Sequence, residues 1–210
     1  MIEYFNTITQ YFPDLTGRQK EQLNQLAYTC MRWNEKINVI SRKDIDNIEV
    51  NHILHSLAIA KFIKFEPGTT VIDLGTGGGF PALPLAIFFP EVKFHLVDRI
   101  RKKLGVAAAI ADECGLKNVT FQHGDFRECK MMADFVVSRA VMPLPELVKL
   151  ARRNIKPVSV NAISNGLIAL KGGDVAEEVA AAGTPCEVVD ISTYFNEEYF
   201  KTKKIIFAPL

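Results

Sequence analysis

Apolar residues recur along the chain with two different spacings, and the change between them divides the sequence in two. Before Pro67 and Gly68 they return about every 3.6 positions, which is the period of an amphipathic helix. One such stripe lies in TGRQKEQLNQLAYTCMRWNEKIN, where Thr16 is a candidate N-cap, and a second helix is predicted from about Asp46 to Phe62. We therefore expect residues 1–66 to form an N-terminal helical segment packed on the rest of the molecule.

After this break, short apolar runs alternate with helical segments. The predicted strands are VIDL, KFHLVD, NVTFQH, ADFVVS, NGLIALKGG, CEVVDISTYF and KKIIFAP. The predicted helices are PALPLAIFF, with Pro81 near its first position, RIRKKLGVAAAIADECG, ending at Gly115, PLPELVKLARRNI and VAEEVAAAG. Such alternation predicts one α/β domain over residues 67–210, with a mostly parallel sheet and helices on both faces. The link at Asn196 to Phe200 is too short for a helical crossover, so the last strand should be antiparallel.

Composition limits the class of protein. The chain has 210 residues, of which 48% are hydrophobic and 23% charged, as expected for one globular domain with an appendage. It has no apolar run long enough for a membrane span, and its N-terminus lacks the features of a secretory signal. We expect a cytoplasmic monomer without membrane contact. The four cysteines match no zinc or redox spacing, so no metal is predicted.

The charge distribution is more informative than the net charge of +1. Residues 99–156 contain twelve Lys or Arg residues against six Asp or Glu residues. A section this basic can face an anionic partner, although solvated helix faces would give the same composition.

A glycine-rich stretch follows the first predicted strand and precedes the first helix of the α/β domain. Its spacing is D-x-G-x-G-x-G, with Asp73, Gly75, Gly77 and Gly79. The dinucleotide fingerprint G-x-G-x-x-G fails because Phe80 stands at the third glycine position. The observed spacing is typical of S-adenosylmethionine-dependent methyltransferases. We expect backbone amides of this loop to bind the carboxylate of that cofactor and Asp73 to bind its ammonium group.

Acidic residues also follow the second and third strands. Asp98 ends the second strand and is predicted to accept hydrogen bonds from both ribose hydroxyls. After the third strand, Gly124, Asp125 and Phe126 form a predicted adenine site, in which Asp125 accepts from the amino group and Phe126 supplies an apolar wall. Phe80 either lines the cofactor site or packs in the core.

Five segments form a specific combination: DLGTGGGFPALPLAI, LVDRIRKK, DFVVSRAVMPLPEL, IALKGG and, upstream, WNEKINVISRKDIDNIEVNHILHSLA. Together they resemble the glucose-inhibited division protein B family, the small-subunit ribosomal RNA methyltransferase G group. The resemblance runs from about Trp33 to Gly173. The chain departs from the family pattern at His55, where aspartate is usual, and in HGDFREC, which lacks an R-x-E-E pattern. The resemblance implies the class I methyltransferase fold, a seven-stranded sheet with its last strand antiparallel.

The resemblance also implies an activity, methylation of a guanine at N7 in 16S ribosomal RNA, with this RNA or the small ribosomal subunit as partner. N7 carries a lone pair and no proton, so no dedicated catalytic base is predicted. Arg139, after the fourth strand, is expected to contact cofactor or RNA. The other candidate RNA contacts are Asn38, His52, Arg101, Lys102 and Lys171.

The residues leave three other functions open. The chain could methylate a small molecule or a protein, act as a nicotinamide-dependent dehydrogenase, or bind a nucleotide without catalysis. Transfer of a labelled methyl group to ribosomal RNA, and a nicotinamide binding test, distinguish these functions.

Overall fold

Helices occupy the first third of the chain in the computed structural model, which describes residues 6–210. Helix α2 begins after Thr16, whose hydroxyl accepts a hydrogen bond from the Gln19 amide, while the Gln19 side chain accepts one from the Thr16 amide. The N-terminal elements are α1 (Asn6–Tyr11), α2 (Gly17–Asn34), a 3₁₀ turn (Ile45–Asn47), a π-helix (Ile48–Leu54) and α3 (His55–Phe62).

A seven-stranded sheet with the strand order β3-β2-β1-β4-β5-β7-β6 forms the centre of the molecule. Strands β1 to β5 are parallel, and β7 is antiparallel to both of its neighbours, which confirms the expected class I topology. The strands are β1 (Thr70–Leu74), β2 (Lys93–Asp98), β3 (Val119–His123), β4 (Phe135–Arg139), β5 (Gly166–Gly172), β6 (Glu187–Asp190) and β7 (Lys203–Pro209). The connecting helices are α4 (Ala82–Phe88), α5 (Arg101–Glu113), α6 (Leu144–Ala151) and α7 (Ala176–Ala180).

The two predicted helices of the N-terminal segment differ from the observed ones, the first in its extent and the second in the type of helix. Helix α2 stops at Asn34, because the Asn34 side chain accepts hydrogen bonds from the Val39 and Ile40 amides and closes a loop. The helix predicted from Asp46 to Phe62 is a 3₁₀ turn, a π-helix and α3 in succession. The wider π turn fits the five-residue step between buried Ile48 and Ile53.

Three further boundaries differ at the ends of elements. Pro81 lies just before α4 and not inside it. Helix α6 ends at Ala151 and continues as a 3₁₀ turn. The strand predicted over CEVVDISTYF is only β6, because Ile191 begins a 3₁₀ turn and is fully buried in the core, as is Phe195.

The sheet separates two apolar cores. The larger core joins the N-terminal helices to α4 and α5, with Leu26 and Leu57 in the same cluster as Leu85 and Ile110. The smaller core lies under α6 and α7 on the other face. The N-terminal segment therefore covers the face of the sheet that also carries the helix after the glycine-rich loop.

Candidate functional site

A cavity of about 980 Å³ opens at the carboxyl ends of the parallel strands. It lies beside β1 and β4, from which the strand order runs outward in both directions, and open α/β sheets bind their ligands at this switch point. Its walls come from the loops after β1, β2, β3 and β4, from α6, and from Val39 of the N-terminal segment.

The glycine-rich loop forms one wall with its backbone. Gly77 has a φ of +57°, and a Cβ atom built there would meet no heavy atom within 4 Å, so the side-chain position of this residue faces open space. A Cβ atom on Gly75 would lie 2.6 Å from a methyl carbon of Val141, and one on Gly78 would lie 2.8 Å from the Cβ of Val39. The loop is therefore closely packed on both sides and open in its middle, where a ligand can approach its backbone.

Two residues of the D-x-G-x-G-x-G motif lie behind this wall. Asp73 is fully buried and is not part of the cavity lining; its Oδ2 accepts hydrogen bonds from the Thr76 hydroxyl (2.7 Å) and the Ala82 amide (3.1 Å). Gly79 gives space to helix α4, because a Cβ atom there would lie 2.3 Å from Leu83 Cδ1. These contacts shape the loop, whereas the sequence predicted that both residues contact the cofactor.

Burial makes Asp73 electrostatically unusual. It raises the pKa of the Asp73 carboxyl to about 7, against the opposing effects of the two hydrogen bonds and of the Arg139 charge. The Oδ1 atom of this carboxyl has no hydrogen-bond partner in the described structure.

Asp98 lies in the cavity wall at the end of β2, as its position in the sequence suggested. Its Oδ2 accepts a hydrogen bond from the Gly77 amide and its Oδ1 accepts one from the Ile100 amide, both at 2.7 Å. A carboxylate has about four acceptor positions, so Asp98 can still accept hydrogen bonds from a diol. It also ties the glycine-rich loop to the loop after β2.

The loop after β3 brings Gly124, Asp125 and Phe126 to the opposite wall. Phe126 is buried, and Asp125 forms a two-pronged ion pair with Arg127, at 2.7 and 2.9 Å. These hydrogen bonds, helped by the charges of Arg127 and Arg99, hold the pKa of Asp125 well below its usual range. Asp125 is therefore an ionised acceptor at the cavity, already partnered by Arg127.

Arg139 enters the cavity from the end of β4 and contacts the N-terminal segment. Its guanidinium carbon lies 5.1 Å from the centroid of the Phe80 ring, and its Nη2 lies 3.1 Å from His52 Nδ1. The next residue, Ala140, has a φ of +52°, a conformation that residues with a side chain rarely adopt. Phe80 is buried, so it belongs to both the core and the cavity wall.

The other predicted RNA contacts lie outside the cavity lining, some of them exposed and some partly buried. Asn38 is exposed beside Val39, and Arg101 and Lys102 are exposed on α5 outside the cavity lining. His52 is half-buried behind Arg139. Lys171 donates hydrogen bonds to Glu178 and to the Met142 carbonyl, both at 2.7 Å, and only 11% of its side chain is exposed. Its contacts thus support the loop after β4.

Several lining residues were not predicted from the sequence. They are Val39, Ile100, Lys103, Val141, Met142, Lys149 and Leu150. The hydrogen bond from the Val39 amide to the Asn34 side chain holds Val39 beside the glycine-rich loop. No local pattern in the sequence indicates this contact, because Val39 and Gly78 are 39 positions apart. Lys103 and Lys149 belong to the basic section, which also contributes Arg99, Arg127 and Arg139 to the lining, whereas Arg101 and Lys102 lie outside it.

The part of the chain that the structure describes, residues 6–210, contains no cluster of three or more His, Cys, Asp or Glu side chains suited to a metal ion. Its helices are all too short or too polar to cross a membrane. The four cysteines are free thiols.

The fold and the position of the cavity define a class of protein. Solved structures with the same fold include a S-adenosylmethionine-dependent methyltransferase from Aquifex aeolicus, with a TM-score of 0.55 and 18% identity over 73% of this chain and 88% of that chain. Another is the fibrillarin of Aeropyrum pernix, solved with natively bound S-adenosyl-L-methionine, with a TM-score of 0.55 and 15% identity over 74% of this chain and 73% of that chain. The chain has the class I methyltransferase fold.

The relatives by sequence are more specific. The family model for rRNA small subunit methyltransferase G matches residues 19–206. The ribosomal RNA small subunit methyltransferase G of Parabacteroides distasonis is 54% identical, over 98% of this chain and 90% of the relative. That of Flavobacterium johnsoniae is 49% identical over 97% of each chain. This chain belongs to the rRNA small subunit methyltransferase G family, which confirms the resemblance seen in the sequence.

Proposed function

We propose that this protein transfers a methyl group from S-adenosylmethionine to N7 of one guanine in the 16S RNA of the small ribosomal subunit. The observation that carries the proposal is the cavity itself, in a chain of this family. There the open backbone of Gly77 and the carboxylate of Asp98 lie side by side, joined by a 2.7 Å hydrogen bond.

The residues at the cavity fit this cofactor. Asp98 has acceptor capacity left for the ribose hydroxyls, and the Gly77 backbone would be covered by any side chain at that position. Phe126 and the exposed Ile100 offer apolar surface to a base, and Arg139 offers a positive charge. When bound, the cofactor supplies an electrophilic methyl group on a sulfonium.

The protein's part in the reaction is positioning. Guanine N7 has a lone pair in the plane of the ring, so the chain need not remove a proton before the new bond forms. The side chains around the cavity then hold the two reactants in line and exclude water. A-form RNA hides N7 in a deep, narrow groove, so the target guanine must be unpaired or turned out of its helix.

The partner is a ribosomal RNA or a ribosomal particle. Arg99, Lys103 and Lys149 are cations in the wall of the cavity and can bind phosphates. Because the net charge of the chain is only +1, we expect an assembled small subunit to be a better substrate than naked RNA. We further infer a cytoplasmic monomer.

The decisive experiment incubates the protein with labelled S-adenosylmethionine and small subunits from a strain that lacks this enzyme. We expect one labelled guanine, located by mass spectrometry and identified as 7-methylguanosine, and loss of transfer in Asp98→Ala. Labelling of another base, or of a ribosomal protein, would contradict the proposal. Nicotinamide cofactors serve as the negative control for binding.

A further inference from the structure

The guanidinium of Arg139 is held from one side by the N-terminal segment. Its Nη2 donates to His52 Nδ1 at 3.1 Å, its Nη1 lies 3.5 Å from the Asn51 carbonyl oxygen, and its central carbon lies 5.1 Å from the centroid of the Phe80 ring. No ion pair within residues 6–210 involves Arg139. An arginine has five N–H groups, so some remain for a ligand in the cavity that it lines.

The hydrogen bonds around His52 have a fixed direction. An arginine can only donate, so His52 Nδ1 must accept and the ring proton must sit on Nε2. That nitrogen lies 2.6 Å from Asp44 Oδ2, which accepts the proton's hydrogen bond. Burial, and then the charge of Arg139, lower the pKa of His52 to about 4, although Asp44 opposes the shift. The His52 ring is therefore neutral at physiological pH, which leaves Nδ1 free to accept from Arg139 while Nε2 donates to Asp44.

Asn51 of the π-helix makes further hydrogen bonds, to Asp44 and to Tyr199. The Asn51 side chain donates to Asp44 Oδ1 at 2.5 Å, so both oxygens of Asp44 are bonded to the π-helix. The Asn51 carbonyl also accepts a hydrogen bond from the Tyr199 hydroxyl at 3.2 Å, and Tyr199 lies against His55. Asp44, Arg139 and, one turn further along the helix, His55 are the ionisable groups around His52.

We propose that Asp44 and His52 are positioning residues for Arg139. Asp44 fixes the tautomer and the orientation of the His52 ring. His52 then holds the guanidinium against Phe80 so that its free N–H groups bind an oxyanion in the cavity. This oxyanion is the carboxylate of the cofactor or a phosphate next to the target guanine. Only the identity of the oxyanion rests on the proposed function; the arrangement of the three side chains does not.

The arrangement can be tested without any activity measurement, by ¹⁵N NMR of the histidine rings. The chain has four histidines, and exposed His123 serves as the internal comparison. We expect His52 to be neutral, with its proton on Nε2, from pH 5.5 to 8. In Arg139→Gln the pKa of His52 should rise, because the neighbouring charge is gone while Asp44 remains. A charged His52 at pH 7, or a proton on Nδ1 in the unsubstituted protein, would overturn the proposal.

A matched pair of substitutions tests the consequence for the reaction. In His52→Asn the amide oxygen can stand near the place of Nδ1 and accept from Arg139, whereas in His52→Gln the amide lies near the place of Nε2 and keeps only the contact with Asp44. We expect the asparagine variant to retain most of the methyl transfer. The glutamine variant should lose about tenfold or more in kcat/KM, the usual effect of losing a hydrogen bond to a charged group.

Calorimetry with S-adenosylmethionine identifies the oxyanion. If the oxyanion is the cofactor carboxylate, His52→Gln should bind the cofactor more weakly. If it is an RNA phosphate, cofactor binding should be unchanged and the KM for the subunit should rise. Equal losses in both variants, or no loss in either, would show that His52 does not position Arg139. If the unsubstituted protein methylates no subunit, the proposed function fails, while the NMR result still decides on the arrangement.

Discussion

Asp98 combines two tasks in one carboxylate. It is expected to bind the ribose of the cofactor, and it already holds the Gly77 and Ile100 amides. Asp98→Ala removes all of these acceptors, so we predict at least a tenfold weaker cofactor affinity and a loss of stability of about 1–3 kcal/mol from the amides left without a partner. Calorimetry gives the affinity and thermal unfolding gives the stability. Asp112→Ala, an exposed acid on α5, is the control, and unchanged affinity in Asp98→Ala would refute the ribose role.

Asp73 makes stability depend on pH in the direction opposite to that of an ion-paired acid. Its pKa is about 7 in the folded protein and near the ordinary 3.8 in the unfolded chain. Between pH 4 and 7 the folded state therefore keeps a proton that the unfolded state has lost, and the free energy of unfolding falls as the pH rises.

We predict that Asp73→Asn removes this part of the pH dependence, because its amide stays neutral while its oxygen can still accept from Thr76 and Ala82. Urea unfolding at pH 4, 5, 6 and 7 measures it. Asp73→Asn should lose less stability over this range than the unsubstituted protein. Asp14→Asn, at an exposed position, is the control and should behave like the unsubstituted protein. Parallel curves for all three proteins would show that Asp73 ionises normally.

At the scale of the element, the glycine-rich loop has one side for binding and one for packing. Gly77 faces open space, whereas Gly79 faces Leu83 and Ala107. Gly77→Ala should cost about 1 kcal/mol from the positive φ and should weaken cofactor binding, because the methyl group enters the cavity. Gly79→Ala should cost more stability, since the added methyl also overpacks the core beside α4. Equal losses of stability, with equal binding, would contradict this division; urea unfolding and calorimetry decide.

Elements that are encoded by a short stretch of neighbouring residues could be predicted from the sequence. Strand β2 and Asp98 at its end follow from KFHLVD, and the glycine-rich loop follows from the spacing of its glycines. The π-helix could not be predicted, because its apolar stripe differs from that of an α-helix by a single residue. Val39 and the contact of His52 with Arg139 depend on packing between distant segments, which no local pattern carries. The ion pair of Lys171 with Glu178 is likewise visible only in the folded chain.

For the whole molecule, the N-terminal segment belongs to the same core as the α/β domain. Its apolar side chains cover α4 and α5, and Gln19 and Gln22 donate to carbonyl groups at the ends of these helices. The segment also contributes Val39 to the cavity and holds Arg139 through His52. It is therefore connected to the site both through packing and through direct contacts, although the sequence suggested a boundary near residue 66.

We predict that residues 67–210 alone do not form a stable domain. Removing the helices would expose the buried faces of α4 and α5, including Leu85 and Ile110, which the complete chain keeps from water. The fragment should bind the dye ANS, lack a cooperative thermal transition and show no measurable affinity for S-adenosylmethionine. The complete, unsubstituted chain is the control, since it keeps the packing of the segment on α4 and α5. If the fragment unfolded cooperatively and bound the cofactor as tightly as the complete chain, the sheet and its own helices would be sufficient, and the N-terminal helices would serve only the RNA.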